Sequence, residues 1–466
     1  MATSLKEELR VQSSWQARPG CREAHAFEAF LGNEFLSDDE QVARQSAALR
    51  RVLGFAGREV PYYQGVFREL GIVANDVRSL ADLGRLPVLT RQDVQEHSAQ
   101  LRAARLPTGQ RVACSHRTSG TTGQPVEILH TVGSLLMSHY QKQRELRWFR
   151  FDPTRTLGQI RPVRDLPRGR DGKELEPGQT IRLDTWPLVG RYFVTGPFLG
   201  LSDMTDVDVQ VEWLGRFRPS YLLAQSAKLE HLALAVEERG TGLGVRGLLA
   251  ISQQLTGEMR RRIEAAFGVP VCENYGLNEV GIVASRCPEG GRFHVHTEHC
   301  LVEIVDAQGR PCPPGKPGRL LVTALNNPAM PLIRYDTDDL AEAAEGRCPC
   351  GRTLPAFSAL RGRYRRTINL PPGTWDYWDA LLNALEHMPR ELSKPLRQYQ
   401  LHQYRSGAFQ LRLVAATPLP EPFFARIRER WQRVSLTSPA PLDIIQVPVI
   451  PREPGAKFQN FSSEHF

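Results

Sequence analysis

The sequence predicts an α/β fold, with a large N-terminal domain on mainly parallel sheets and a small α+β domain at the C-terminus. Its 466 residues exceed what one hydrophobic core ordinarily supports, so more than one domain is expected. Helix and strand patterns alternate between residues 207 and 276, which is typical of a parallel sheet. We place the large domain at 1–361 and the small one at 362–466.

Composition narrows the class of protein. Apolar residues make up 41% and charged residues 24% of the chain, as in folded globular proteins. No membrane-spanning run or signal peptide is recognisable, so we expect a cytoplasmic protein without a membrane partner. The net charge of +8 comes from scattered arginines rather than basic blocks, which argues against a nucleic-acid partner. Eight widely spread cysteines favour free thiols or a metal site over disulfides.

The N-terminal region is predicted to be helical. Residues 1–37 form an amphipathic pattern, and a second helix is expected from Asp38 to Leu53, ending near Gly54. Four aromatic residues are the candidates for packing the first pattern: Trp15, Phe27, Phe30 and Phe35.

A loop rich in hydroxyl groups follows between two short strands, Arg111 to Ser115 and Pro125 to His130. Its glycines let an anion approach backbone N–H groups closely, and its hydroxyls add donors, so the loop suits a pair of phosphates. It differs from a Walker loop, which ends in Gly-Lys-Ser/Thr and leads into a helix. A plain polar hairpin is the alternative. The loop residues are Thr118, Ser119, Gly120, Thr121, Thr122 and Gly123.

The middle of the chain predicts a run of strand–helix units. Helices are expected at 131–149, 207–217, 227–239 and 256–267, and strands at 219–225, 247–252 and 270–276. Residues 161–191 lack periodicity and are expected to form a loop or hairpin. Because ligands of parallel sheets bind at the carboxyl ends of the strands, Tyr275 and Gly276 are candidate binding residues.

The Thr-Ser-Gly-Thr-Thr-Gly loop at 118–123 resembles the phosphate loop of the adenylate-forming enzymes, the acyl-CoA synthetases and their relatives. Tyr275-Gly-Leu-Asn-Glu279 resembles that superfamily's Tyr-Gly-x-Thr/Ser-Glu motif. The resemblance implies that Tyr275 packs on adenine and that Glu279 binds the Mg²⁺ that bridges the ATP phosphates, as a hard cation requires. Asn278 stands where a hydroxyl usually contacts the α-phosphate.

Later segments extend the resemblance. Ile333 to Leu340 is similar to the Tyr-Arg-Thr-Gly-Asp motif, which implies that Asp339 binds the ribose hydroxyls, with Asp338 in place of the usual glycine. The resemblance makes Arg363 a second ribose contact and Lys457, near a terminal Pro-x-x-Gly segment, the bridge between carboxylate and α-phosphate. Segments such as 80–91 and 313–324 are similar to the phenylacetate–CoA ligase branch. The usual hinge acid is replaced by Tyr364-Arg365-Arg366.

Four soft side chains predict a second kind of metal site. The segment from Cys287 to His294 and the Cys348-Pro-Cys350 turn together supply three thiolates and an imidazole, a tetrahedral zinc set. All four positions would be protein ligands, so such a zinc is structural. Some members of the phenylacetate–CoA ligase branch carry zinc on a similar set. Free thiols are the alternative.

The resemblance implies an acid–thiol ligase. A carboxylic acid, aryl or short acyl, attacks the α-phosphate of MgATP, and the acyl group then passes from AMP to a thiol such as CoA. An amine or a carrier protein is the alternative acceptor, and a non-catalytic nucleotide-binding scaffold is the alternative of another class. The oligomeric state stays open, with a homodimer among the alternatives.

Overall fold

The computed structural model describes residues 15–117, 126–168, 174–240, 242–252, 255–363, 377–378, 380–381, 384–385, 388–435, 439–450 and 461–464. The chain divides into two compact units. The large unit comprises Met1–Leu255 with Met259–Leu360, and the small unit comprises Arg361–Phe466 with Thr256–Glu258. The predicted division into domains at 1–361 and 362–466 stays a prediction.

Five helices come first among the described residues of the large unit, and the second corrects a predicted boundary. It runs through Gly54 to Glu59 instead of ending near Gly54. A side chain at Gly57 would place its Cβ 2.9 Å from the Phe67 ring, so this glycine permits close helix packing and does not stop the helix. A capping box between Ser37 and Glu40 fixes the helix start. The helices are α1 Arg22–Gly32, α2 Asp38–Glu59, α3 Pro61–Glu69, α4 Leu80–Leu83 and α5 Arg91–Glu96.

The predicted helix at 1–37 is only partly present among the described residues. Residues 15–21 are not helical, and residues 33–35 form a single 3₁₀ turn after α1. Trp15, Phe27 and Phe30 are buried as expected, but Phe35 is 60% exposed and is not a packing residue. The amphipathic pattern ends one turn earlier than the aromatic spacing indicated.

The alternating pattern from 132 to 277 forms strands and helices close to their predicted bounds. Strands β5, β3, β6, β7 and β8 lie side by side in parallel, and β4 adds an antiparallel edge to β5 within the segment predicted to be a loop or hairpin. The elements are the hairpin strands β1 Val112–Arg117 and β2 Glu127–Thr131, then α6 Val132–Trp148, β3 Leu157–Arg161, β4 Thr180–Leu183, β5 Phe198–Ser202, α7 Val207–Phe217, β6 Tyr221–Gln225, α8 Ser226–Arg239, β7 Gly247–Ile251, α9 Gly257–Phe267 and β8 Val271–Leu277.

Antiparallel strands continue the same sheet on the other side of β8. The order from that strand outward is β8-β9-β10-β14-β13-β12-β11. Their bounds are β9 Gly281–Arg286, β10 Phe293–Val295, β11 Cys300–Val305, β12 Pro317–Ala324, β13 Tyr335–Ala343 and β14 Ala356–Arg363. A stack of Phe293 on Phe357, with ring centroids 5.1 Å apart, fills the core between these strands and the N-terminal helices. This arrangement carries Tyr275 on β8 and Asp339 on β13.

In the described part of the small unit, a four-stranded sheet packs with one long helix. The strand order is β17-β16-β15-β18, and the outer two strands run parallel to their neighbours. Phe423 and Trp431 of the helix pack on Leu401 and Leu411 of the sheet. The elements are α10 Arg390–Ser393, β15 Leu396–Gln403, β16 Phe409–Ala415, α11 Glu421–Gln432, β17 Leu442–Gln446 and β18 Phe461–Ser463. The predicted α+β class of this unit is confirmed.

Across both units, none of the helices among the described residues combines the length and apolarity that crossing a bilayer requires.

Candidate active site

The predicted phosphate loop connects the two strands of the β1–β2 hairpin, as expected. Thr118 to Gly123 themselves lie outside the described residues. His130, on β2, is placed so that its Nε2 donates to the carbonyl of Asn278 at 3.0 Å. Burial, with a smaller contribution from His116, lowers the pKa of His130, so the ring is neutral at neutral pH. The hairpin is thereby held against the segment between Tyr275 and Glu279.

Tyr275 and Asp339, predicted to contact adenine and ribose, are in direct contact. The phenol of Tyr275 donates a 2.7 Å hydrogen bond to Oδ2 of Asp339. The Tyr275 ring is buried edge-on against Phe357, with centroids 6.0 Å apart. Two motifs 64 residues apart in the sequence therefore meet through side chains, as a shared nucleotide site requires.

Glu279, the predicted magnesium ligand, is buried at 7% exposure with two partners on one oxygen. Its Oε1 accepts from Arg91 at 3.1 Å and from the phenol of Tyr335 at 3.2 Å. Burial, and then the charge of Glu279, raise the pKa of Tyr335, so it stays a neutral donor. None of the described residues hydrogen-bonds Oε2 of Glu279, which leaves that oxygen for a cation.

The backbone holds Arg91 in this position. Leu89 N donates to the carbonyl of Arg334 and Asp336 N to the carbonyl of Leu89, so the segment pairs with the start of β13. The capping box of Thr90 and Asp93 then starts α5 at Arg91. The pairing of Leu89 with β13 and the cap of α5 thus hold Arg91 beside Tyr335 and Glu279.

The acidic run at 336–339 directs two of its carboxylates to different partners. Asp336 pairs with Arg319 at 2.5 Å, whereas Asp339 accepts from Tyr275 on β8. Asp338 has φ of +62°, in the left-handed region that favours glycine. The glycine that the resembling motif carries here would suit this conformation better, and the N–H of Asp338 is bound by Oδ1 of Asp336 at 3.0 Å.

Some predicted residues lie at the margin of the site or beyond it. Gly276 and Asn278 are exposed at the end of β8, and the carbonyl of Asn278 is used by His130. The backbone of Arg363 ends β14, but its side chain lies outside the described residues, as does all of Lys457. Their roles stay predictions.

The four predicted zinc ligands form one cluster. The ligand atoms of Cys287, His294, Cys348 and Cys350 all lie within 4.8 Å of one another. Sγ of Cys287 and Sγ of Cys348 are 3.9 Å apart, and Sγ of Cys350 lies 3.4 Å from Nε2 of His294. A tetrahedral zinc separates two sulfurs by about 3.8 Å and a sulfur from a nitrogen by about 3.6 Å. The donor set and its spacing fit zinc.

The surroundings orient these ligands. Nδ1 of His294 donates to the carbonyl of Leu354 at 3.1 Å, so the lone pair of Nε2 faces the cysteines. The N–H of Gly290 points to Sγ of Cys287 at 3.4 Å, and any side chain at Gly290 would clash with Sγ of Cys348. Arg352 lies over Trp148 at 4.4 Å and pairs with Glu34 at 2.6 Å, which closes one side of the cluster.

The sequence did not identify Arg91 and Tyr335 as site residues. The signal was present, because Thr90-Arg91 ends one segment that resembles the phenylacetate–CoA ligase branch and Tyr335 belongs to the motif that contains Asp339. Assigning them required the pairing of Leu89 with β13, a contact across 245 residues (334 minus 89) that no local pattern encodes.

The chain was compared with protein families and with proteins of described function. No protein-family model matches the chain. Among proteins of described function, the phenylacetate-coenzyme A ligase of Thermus thermophilus is 28% identical over 413 residues, which cover 84% of this chain and 85% of that protein. The phenylacetate-coenzyme A ligase of Aromatoleum evansii is 28% identical and covers 71% and 72%.

A solved structure shows the same fold. The 2-hydroxyisobutyryl-CoA ligase, crystallised in the postadenylation state with 2-HIB-AMP, matches with a TM-score of 0.68 and 19% identity, over 93% of this chain and 91% of that one. The likeness confirms the predicted fold class. Four phenylacetate-coenzyme A ligases at 24–28% identity confirm the predicted class of enzyme, an acid–thiol ligase. The chain is therefore similar to the phenylacetate-coenzyme A ligases over most of its length.

Proposed function

We propose that the protein activates a carboxylic acid with MgATP, releasing pyrophosphate, and transfers the acyl group from AMP to the thiol of CoA. The observation that carries the proposal is the contact between Tyr275 and Asp339, beside a buried Glu279, in a chain similar to phenylacetate-CoA ligases. A scaffold that only bound nucleotide would not need a buried carboxylate with one oxygen left for a cation. The acid is an aryl or short acyl acid, and its identity is for experiment.

Each motif has one task in this reaction. Asp339 holds the ribose hydroxyls, with Arg363 as the second contact, and Tyr275 packs on adenine. The loop Thr118–Gly123 and Asn278 bind phosphate oxygens, and Lys457 lies between carboxylate and α-phosphate. Glu279 would hold a magnesium ion, which would supply the positive charge that neutralises the ATP phosphates. The protein therefore contributes placement and charge neutralisation.

We prefer CoA as the acceptor because the relatives are named CoA ligases. An amine or a carrier-protein thiol would give the same first half-reaction, so only an acceptor panel separates them. A trapped acyl-AMP that CoA consumes and that simple amines leave intact would support the preferred acceptor.

Acid-dependent ATP–pyrophosphate exchange tests the first half-reaction. We expect exchange with members of an aryl and short-acyl acid panel, and we expect Asp339→Ala to raise the KM for ATP about tenfold to a hundredfold, because charge-assisted bonds to the ribose are lost. Glu345→Ala, an exposed acid just beyond β13, is the matched control and should leave KM unchanged. Absence of exchange with every acid, together with no ATP binding, would contradict the proposal.

Arg91 should set the magnesium requirement. Its guanidinium occupies Oε1 of Glu279, so it opposes a second cation on the same carboxylate. We expect Arg91→Met to lower the half-saturating Mg²⁺ concentration about threefold to tenfold, as loss of one nearby positive charge predicts. Arg91→Lys keeps the charge and is the control. A magnesium titration that coincides for wild type and Arg91→Met would show that Glu279 does not bind the metal.

We also propose that Cys287, His294, Cys348 and Cys350 hold one structural zinc. The support is the spacing of their ligand atoms, the burial of all but Cys350, which is partly buried, and the oriented Nε2 of His294. Because four protein groups fill a tetrahedron, the metal has no position for substrate, and it contributes to folding instead of chemistry.

A further inference from the structure

A cysteine and two histidines lie on one face of the β1–β2 hairpin. Cys114 of β1 is directly opposite His130 of β2, and His116 is opposite Ile128. Directly opposed residues of antiparallel strands point to the same face, and residues two apart on one strand share a face. Ile128 and His130 are buried, so this is the inner face of the hairpin. The inner face therefore carries a thiol and two imidazoles beside the predicted phosphate loop.

The thiol and the nearer imidazole are in contact. Sγ of Cys114 lies 3.7 Å from Nε2 of His116, a hydrogen-bonding distance for sulfur. When the imidazole carries its proton on Nδ1, Nε2 accepts from the S–H group and can take its proton. The His116 ring also packs against the ring of His130, with centroids 4.6 Å apart, which restricts its rotation. Cys114 and His116 thus combine a nucleophile with a positioned base.

Cys114 differs from the other thiols of the chain in its surroundings. Outside the proposed zinc cluster, two cysteines are buried and three are partly exposed. Of these three, Cys21 has its Sγ 3.5 Å from a carboxylate oxygen of Glu23, which repels a thiolate. Burial, and then the charge of Asp306, raise the pKa of Cys312. Cys114 combines partial exposure with a neighbouring imidazole, so it is the thiol best placed to react.

We propose that Cys114 is a modification site at which a hydroperoxide oxidises the thiol to a sulfenic acid, with His116 as the base. Sulfur attacks the terminal oxygen of the peroxide while Nε2 of His116 takes the thiol proton. The O–O bond breaks, and the leaving oxygen receives that proton and departs as water or an alcohol. Sulfur loses two electrons and the peroxide gains them, so the step needs no other reactant. The partial burial of Cys114 favours a small oxidant.

The modification acts on the candidate nucleotide site through the hairpin. His130, opposite Cys114, donates to the carbonyl of Asn278 and so holds the hairpin against the segment between Tyr275 and Glu279. A sulfenic acid adds an oxygen atom to a face that buried side chains already occupy, and closely packed interiors accommodate added atoms poorly. Oxidised protein should therefore hold ATP less well. This consequence rests on the proposed function, whereas the oxidation itself does not.

Trapping of the sulfenic acid tests the modification in the full-length protein. The protein is treated with hydrogen peroxide in the presence of dimedone, which labels sulfenic acids, and the peptide of each cysteine is quantified by mass spectrometry. We expect Cys114 to be labelled at least about tenfold faster than Cys21 and Cys312, because a positioned general base commonly contributes that much or more. Equal rates at these three thiols would overturn the proposal.

His116→Gln separates the action of the base from simple exposure of the thiol. Glutamine keeps a polar side chain but cannot take the thiol proton, so labelling of Cys114 should slow about tenfold or more. Added imidazole should restore the rate in His116→Ala, which it could not do if the histidine were only structural. Ser115→Ala, an exposed position on the other face of β1, is the matched control and should be labelled as wild type is. An unchanged rate in His116→Gln would contradict the proposal.

Acid-dependent ATP–pyrophosphate exchange measures the effect on the nucleotide site. Wild type should lose exchange in proportion to the labelling of Cys114, whereas Cys114→Ser should start with wild-type exchange and resist peroxide. Both proteins contain the proposed zinc ligands, so equal inactivation of the two would trace the loss to another thiol and overturn the coupling, as would full exchange by labelled wild type. If no acid supports exchange, the proposed function is wrong, and the labelling rates still decide whether Cys114 is the modification site.

Discussion

Replacing Lys457 with alanine should lower the rate of adenylation by about a hundred- to a thousand-fold, or about 3–4 kcal/mol of transition-state stabilisation. Two anions, the carboxylate and the α-phosphate, must meet before a bond forms, and an ammonium between them reduces their repulsion. Acid-dependent pyrophosphate exchange measures this step directly. Transfer from synthetic acyl-AMP to CoA should be largely unaffected, because the charge is needed only when the two anions meet.

The exposed lysine of the small unit, Lys394, provides the matched control, and Lys394→Ala should keep both rates. The two rates of Lys457→Ala also test the hinge, because Tyr364-Arg365-Arg366 replaces the usual hinge acid. If one arrangement of the protein serves both half-reactions, Lys457→Ala will slow both by similar factors. Wild-type exchange in Lys457→Ala would show instead that the C-terminal resemblance does not extend to function.

The parallel half of the sheet could be predicted closely because its signals are local. Each of its central strands is a short buried apolar run, such as Tyr221–Gln225, between helices that end at a glycine or a cap. Gly240 has φ of +62° and ends α8 as predicted. Gly54 predicted a helix end in the same way and was wrong, because α2 continues to Glu59 and Gly57, nearly one turn later, packs closely on Phe67 of α3.

Site residues could be predicted from sequence where the function restricts the residue type within a motif. They could not be predicted where their position depends on contacts between distant parts of the chain. Tyr275 and Asp339 belong to recognisable motifs, and the structure brings them within 2.7 Å. Arg91 reaches Glu279 because Leu89 pairs with the start of β13, and no local sequence pattern encodes a contact between segments so far apart. At Asp338 the structure explains the sequence motif. The φ angle here is positive, a conformation that favours glycine, and the resembling motif carries glycine at this position.

Removal of the proposed zinc should have the largest effect on stability. We expect Cys348→Ser with Cys350→Ser to lose the metal and to lower the apparent unfolding free energy by about 5–10 kcal/mol, less than an isolated zinc finger loses because the surrounding sheet also holds these segments. The measurements are the zinc content of the untagged protein by elemental analysis and its thermal unfolding with and without a chelator. Wild type should carry one zinc per chain.

Cys312→Ser is the control, since this partly exposed thiol lies on a turn near the carbonyl of Pro317 and outside the cluster. It should keep the zinc and the melting temperature. Chelation of wild type should lower stability before it lowers adenylation, because Cys287 and His294 lie on the β9–β10 hairpin while the candidate nucleotide residues Tyr275 and Asp339 lie on β8 and β13. If the double variant still carries one zinc per chain, the metal binds elsewhere. If wild type contains no zinc and is as stable with chelator as without it, the four side chains are ordinary thiols and an imidazole.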